Sequence, residues 1–237
     1  MATTAFCYSA KAELADAAHC FLATQSGVSC SGSNAAFTLT GLASTAGLAV
    51  GMAVTGTNVA AGAVVASIDS GTQVTVSKAH TGAVTSATFT ADAFKMLLIK
   101  ASPTRTFDGT QTNVGTPGSG TPSATNVGTD ETSGTGYTSG GFALTNTSPA
   151  VGSTAGYWSF AANPSWSSAS FSATAGVIYN TSVRLGHANG ITANASGSAI
   201  NRAISVHDFG GTQTVASGTF TVVLPTNAQG TAILQIS

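Results

Sequence analysis

A turn rhythm is the strongest constraint on what this chain can fold into. Between positions 26 and 91, short alternations of β-branched and small residues are cut by Gly, Asn or Asp every eight to twelve residues. In "IDSGTQVTVS", Val74 and Val76 alternate with Thr75 and Ser77, so one face is apolar and the other hydroxylated. Asp69, Ser70 and Gly71 supply the turn chemistry before them, the signature of a hairpin. The stretch predicts a compact all-β module of about five strands, near 36–39, 53–55, 63–68, 73–77 and 86–90.

The pattern resumes after it. "FKMLLIK" is continuous enough for a core strand at 96–99, and further strands are predicted at 142–145, 157–160, 170–173, 177–180, 203–208, 219–224 and 232–236. A count near eight suits a β-sandwich or jelly-roll-like domain. The single helix signal is 9–22, where Leu14, Ala17, Ala18 and Phe21 fall at helical spacing, Ser9 is placed to cap and Glu13 lies in the early turns. The expected organisation is therefore all-β. A helical arm, 1–25, belongs with a main domain, 92–237, and the small β module, 26–91, is inserted between them. Positions 102–141 are dense in Gly, Pro, Ser, Thr and Asn, and read as a long surface excursion reaching a neighbouring subunit.

Charged residues make up 6% of the chain and the net charge is -1, while apolar content is 43%. Charge-driven disorder is excluded by the apolar content. With seven Lys and Arg there is no basic stripe for a phosphate backbone, so no nucleic-acid partner is expected. A surface this poor in charge favours association. Cys7, Cys20 and Cys30 are odd in number, which leaves reduced thiols or a bridge between chains. Lys11, Glu13 and Asp16 interrupt any leader-like apolar run, and no apolar stretch of about 18 residues follows. The chain reads as soluble and not exported, with no membrane partner.

The glycine-rich segment "TDETSGTGYTSGGFALTN", 129–146, holds Gly134, Gly136, Gly140 and Gly141. A dinucleotide loop needs G-x-G-x-x-G leading into a helix, and here the spacing is one residue too long and the sequel is strand-like. A P-loop needs a following Lys, and none occurs between Arg105 and Arg184. The glycines are read as turn or assembly residues. His207 and Asp208 would point to opposite faces of a strand, His19 and Cys20 diverge, and His80 and His187 stand in loops, so no metal-ligand set forms. Asp130 and Glu131 are read as solvated turn residues. Trp158, Trp166 and Tyr179 are read as core or as a sugar-facing groove. No catalytic, cofactor-binding or metal residue is assigned, and no enzyme is expected.

Taken together, "AELADAAHCF", "FKMLLIKA", "TDETSGTGYTSGGFALTN", "NPSWSSASFSATAGVIYN" and "NRAISVHDFGGTQTVASGTFTVVLPTNAQGTAILQI" resemble, in this order, a group of tailed-bacteriophage virion structural proteins. The likeness covers 5–24 and 92–237. It departs at 26–91, which is similar to small β modules of phage particles, and at the missing phenylalanine before Lys11. The resemblance implies a non-enzymatic virion component, first of all a capsid decoration or cement protein on the head surface, made in the host cytoplasm. Its implied partners are the major capsid protein or other virion proteins, and copies of itself, as a trimer. Tail, neck or fibre placement is the alternative, and the aromatic residues leave open a carbohydrate-binding host-adhesion module.

Overall fold

The computed structural model describes residues 2–15, 18–182 and 200–236. Asp16, Ala17, Arg184 and His187, named above, lie outside the described residues. The chain is all-β with one short helix. In order it forms β1 (Ala5–Phe6), α1 (Tyr8–Ala15), β2 (Gln25–Gly32), β3 (Thr38–Leu39), β4 (Ala53–Thr55), β5 (Ala63–Ser70), β6 (Gln73–Val76) and β7 (Val84–Thr90). Then follow β8 (Phe94–Lys100), β9 (Phe142–Leu144), β10 (Ala150–Val151), β11 (Gly156–Trp158), β12 (Ser165–Asn180), β13 (Arg202–Thr221) and β14 (Leu234–Ile236). Among the described residues, 20–92 form one compact unit and those on either side of it in sequence form a second, larger one.

The smaller unit is a six-stranded antiparallel sheet ordered β2-β7-β4-β5-β6-β3. Ser31 and Thr40 exchange backbone hydrogen bonds of 2.8 and 2.9 Å, which brings β2 against the residue after β3 and nearly closes a barrel. The alternating pattern delivers Val54, Val65, Val74, Val76 and Phe89 to the interior and leaves hydroxylated residues outside. The β5–β6 hairpin turns through Gly71 and Thr72, with Ser70 opposite Gln73. Cys20 and Asp92 tie entry to exit: the Asp92 carboxylate accepts the Cys20 N–H at 2.8 Å, and the Asp92 N–H reaches the Cys20 carbonyl at 3.3 Å. A module inserted in another domain needs such adjacent ends. β2 escaped the sequence reading because "QSGVSCSG" carries turn residues; only Cys30 and Gly32 of it are buried.

The larger unit is a two-layer sandwich. Its five-stranded antiparallel sheet runs β1-β13-β12-β8-β9, and its three-stranded sheet runs β10-β11-β14. The layers meet at Phe94 of β8, Trp158 of β11 and Phe160, with ring centroids 4.5–5.7 Å apart. β8 is central, and Met96, Leu97, Leu98 and Ile99 are all fully buried. Each of β12 and β13 merges what the sequence divides into two strands. Serine and glycine interrupt the apolar signal where the pair is bulged, as at Ser168 and Ser217, both with positive φ.

Three expectations are corrected here. The helix ends at Ala15, far short of position 22, because the Ala18 N–H turns back to the Glu13 carbonyl at 2.8 Å. Ser9 lies inside the helix with its hydroxyl buried and unpaired, so it does not cap. The polar stretch at 102–141 is no loose excursion. Phe107, Val114 and Val127 are fully buried, and Gln111 and Asn113 donate side-chain hydrogen bonds to backbone carbonyls of the same unit. No helix among the described residues is long and apolar enough to cross a membrane.

Candidate functional site

The glycine-rich segment is where the larger unit concentrates buried charge. β9 pairs with only the first half of the outer edge of β8, at Phe94–Met96. The second half is closed by the segment itself: Ile99 bridges to Glu131, and the Thr132 N–H donates to the Leu98 carbonyl at 2.8 Å. Between the two, the Leu98 N–H donates to the Tyr137 hydroxyl at 3.0 Å, and that hydroxyl donates to Glu131 Oε1 at 2.7 Å. Both backbone groups of Leu98 on this edge thus find a partner, which a buried strand requires.

Glu131 is the hub. Besides Tyr137, its carboxylate accepts the Gly140 N–H and the Ser139 hydroxyl, each at 2.7 Å. A buried carboxylate is tolerable only with such donors. Burial and the Glu131 charge raise the phenols of Tyr137 and Tyr179 well above the ordinary tyrosine range, so both remain protonated donors. Tyr179 uses its hydroxyl on the Gly140 carbonyl, 2.7 Å away.

Asp130, next in the chain and fully buried, is held from the other direction. It accepts the Thr104 N–H and hydroxyl, both at 2.9 Å, and pairs with Lys100 at 2.9 Å. Burial works to raise its pKa, but the Thr104 and Lys100 hydrogen bonds and the Lys100 charge outweigh it and leave the carboxyl below its usual range. The reading of Asp130 and Glu131 as solvated turn residues is therefore corrected. The signal for it lay in the sequence: a hydroxyl-rich turn with adjacent glycines follows Glu131 within ten residues and can present hydroxyls and a free N–H.

Gly134, Gly136, Gly140 and Gly141 all take positive φ. At Gly141 (φ +75°) the turn passes directly over β8, and a Cβ there would run into the Met96 carbonyl oxygen. The glycines let a turn of this depth lie flat on the sheet, which is a structural job.

The aromatic residues are spent inside. Trp158, Trp166 and Tyr179 are 1%, 5% and 2% exposed. Trp158 donates its indole N–H to the Thr147 carbonyl at 3.0 Å. Trp166 sits among Tyr137, Phe142, Phe171 and Phe220 at 5.6–6.3 Å. None of the three offers a ring face to a sugar, so the groove reading of these residues fails on burial.

The described histidines each have a polar neighbour. His19 binds Glu13 through Nε2 at 2.8 Å and the Asn180 amide through Nδ1 at 2.9 Å, pinning the end of the helical segment to β12. His207 faces Ser205 at 2.9 Å, and burial pushes its pKa down to about 4. His80 Nε2 lies 3.2 Å from the Thr38 carbonyl. All three cysteines are reduced and buried, and burial, with the Glu13 and Asp108 charges, pushes Cys7 up to about 12. Among the described residues no group of three or more His, Cys, Asp or Glu is placed to hold a metal. What this arrangement does chemically is hold backbone: its carboxylates accept from the protein's own donors.

No family model, curated protein or solved structure matches the chain.

Proposed function

We propose that this chain is a structural protein of a tailed-bacteriophage particle, bound to the head lattice as a decoration or cement protein. The observation that supports this reading is where the phage-like segments fall. "FKMLLIK" is β8, the glycine-rich segment closes its edge and runs into β9, and the two remaining long segments supply β12, β13 and β14, so these four segments build strands of the same sandwich. The part without that likeness, 26–91, lies within the separate barrel.

The chemistry fits a scaffold. The carboxylates of Glu13, Asp130 and Glu131 are buried and engaged within the fold. With a net charge of -1, many copies can crowd on one lattice without mutual repulsion. Such a protein would act by repetition, each copy adding modest buried area across capsid subunits and the lattice summing the contacts.

The test is copy number. Quantitative mass spectrometry of purified particles should find this chain in a number commensurate with the head lattice. A handful of copies would point to tail, neck or fibre, and none would end the virion reading.

A further inference from the structure

One apolar groove of the larger unit is lined by the helix and the last strand and is filled by no described side chain. It encloses about 740 Å³ between β1, α1 and the last strand, lined by Phe6, Lys11, Leu14 and Ala15 on one side and by 233–236 on the other. Successive side chains of a strand point to opposite faces. A groove touched by consecutive residues of β14 and the residue before it must therefore run along the strand's edge. β14 is also the outer strand of its sheet, paired only with β11 among the described residues, so its second row of backbone donors and acceptors faces this groove. An apolar channel beside an unpaired strand edge is the geometry of strand addition.

Charge selects the occupant. Among the described residues Lys11 is the one charged side chain lining the groove and has no ion-pair partner; its ammonium rests over the Tyr8 ring, 5.3 Å from the centroid. A second copy of this chain is a poor donor for such a site. Its described carboxylates are buried, as at Glu13, Asp92, Asp130 and Glu131, or tied by their own neighbours, as at Asp69 and Asp108. The exposed Asp208 carboxylate accepts the Gly210 N–H at 3.2 Å.

We propose that this groove receives an extended segment of the capsid partner, added as a fourth strand beside β14. The segment's apolar side chains lie against Phe6, Leu14 and Ile236, and a carboxylate pairs with Lys11. This inference rests on the virion reading above, since it names the surface by which the chain would engage the lattice.

The experiment measures binding of the purified full chain to particles that lack it, assembled by a phage with this gene deleted. The variants are Ile236→Asp at an exposed groove position, Lys11→Glu, and Val151→Asp on β10, the opposite edge of the same sheet. Ile236→Asp should weaken binding at least tenfold, Lys11→Glu should weaken it several-fold and remove its salt dependence, and Val151→Asp should leave it unchanged. Amides at 234–236 should gain hydrogen-exchange protection on the particle. Wild-type binding that Ile236→Asp and Lys11→Glu do not alter overturns the groove and leaves the virion reading standing. No wild-type binding overturns both. A purified dimer that Ile236→Asp converts to monomer shows the groove already filled by a second copy, and overturns the assignment to a capsid segment.

Discussion

Removing the Glu131 carboxylate should unfasten the edge of β8, and the size of the loss follows from its three donors. Tyr137, Ser139 and Gly140 each lie 2.7 Å from it. Charge-assisted bonds of this kind contribute about 1.5–3 kcal/mol each, against about 1 for neutral ones. In Glu131→Gln, one amide oxygen can still serve Tyr137 and Gly140, and the Ser139 hydroxyl can turn to accept from the new NH₂. The charge assistance is lost but the pairing survives, at a cost of about 2–3 kcal/mol. In Glu131→Ala, the Gly140 N–H and the Tyr137 hydroxyl lose their acceptor at about 1–3 kcal/mol each, and a cavity opens, for a total of about 4–6 kcal/mol. At roughly 2–4 °C per kcal/mol for a unit of this size, the midpoint should fall by about 5–10 °C for Gln and twice that or more for Ala. Tryptophan fluorescence isolates the relevant transition, because both tryptophans, Trp158 and Trp166, belong to the larger unit. Asp69→Asn is the control: Asp69 also accepts from three side chains, Ser67, Gln73 and Thr75, but on the exposed surface of the smaller unit. If Glu131→Ala lowers the tryptophan-reported midpoint by no more than a degree or two, the carboxylate is not what holds the turn.

Gly141→Ala should destabilise the larger unit by about 3 kcal/mol or more, because the backbone has φ +75° and the new methyl meets the Met96 carbonyl; Gly71→Ala, with open space and ordinary φ, should be close to neutral in the same denaturant titration. His207 is neutral in the fold, with a pKa of about 4 against an ordinary 6.5, so the unfolded chain takes up the proton first as pH falls. Stability should therefore be full above about pH 6.5, decline towards pH 4 by about 1–3 kcal/mol, and decline less in His207→Gln, as read from urea midpoints across that range. Native protein should leave Cys7, Cys20 and Cys30 unreactive to a thiol reagent, with three thiols titrating after unfolding and a monomer band on non-reducing gels; a disulfide-linked dimer would contradict the burial of all three.

The legible parts of the fold were those where one residue class decides the outcome. Val74, Thr75 and Val76 declare a half-buried strand because alternation is a short-range rule, and "FKMLLIK" declares a central one because a strand buried on both faces must be apolar throughout. β2 and the serine-rich halves of β12 and β13 were hidden, since Ser, Gly and Ala fit turns equally well and only pairing with a neighbouring strand makes them extended. Helical spacing through Phe21 misled because it cannot register the return of His19 to Glu13, a contact fixed by Asn180 on a strand 161 residues away. The site was half legible: the glycines marked a turn, but the burial of Glu131 depends on where that turn lands on β8. Trp158, Trp166 and Tyr179 carry the same ambiguity, because a sequence cannot say which side of an aromatic residue faces water.

A density map of the particle, at a resolution that separates two β units, would show whether this chain is bound to the head lattice. Densities for the sandwich and the barrel are expected at every equivalent position on the head surface, with the α1–β14 groove of the sandwich turned towards the capsid. Density for this chain confined to the tail or neck, or a head lattice bare of it, would rule out a decoration protein.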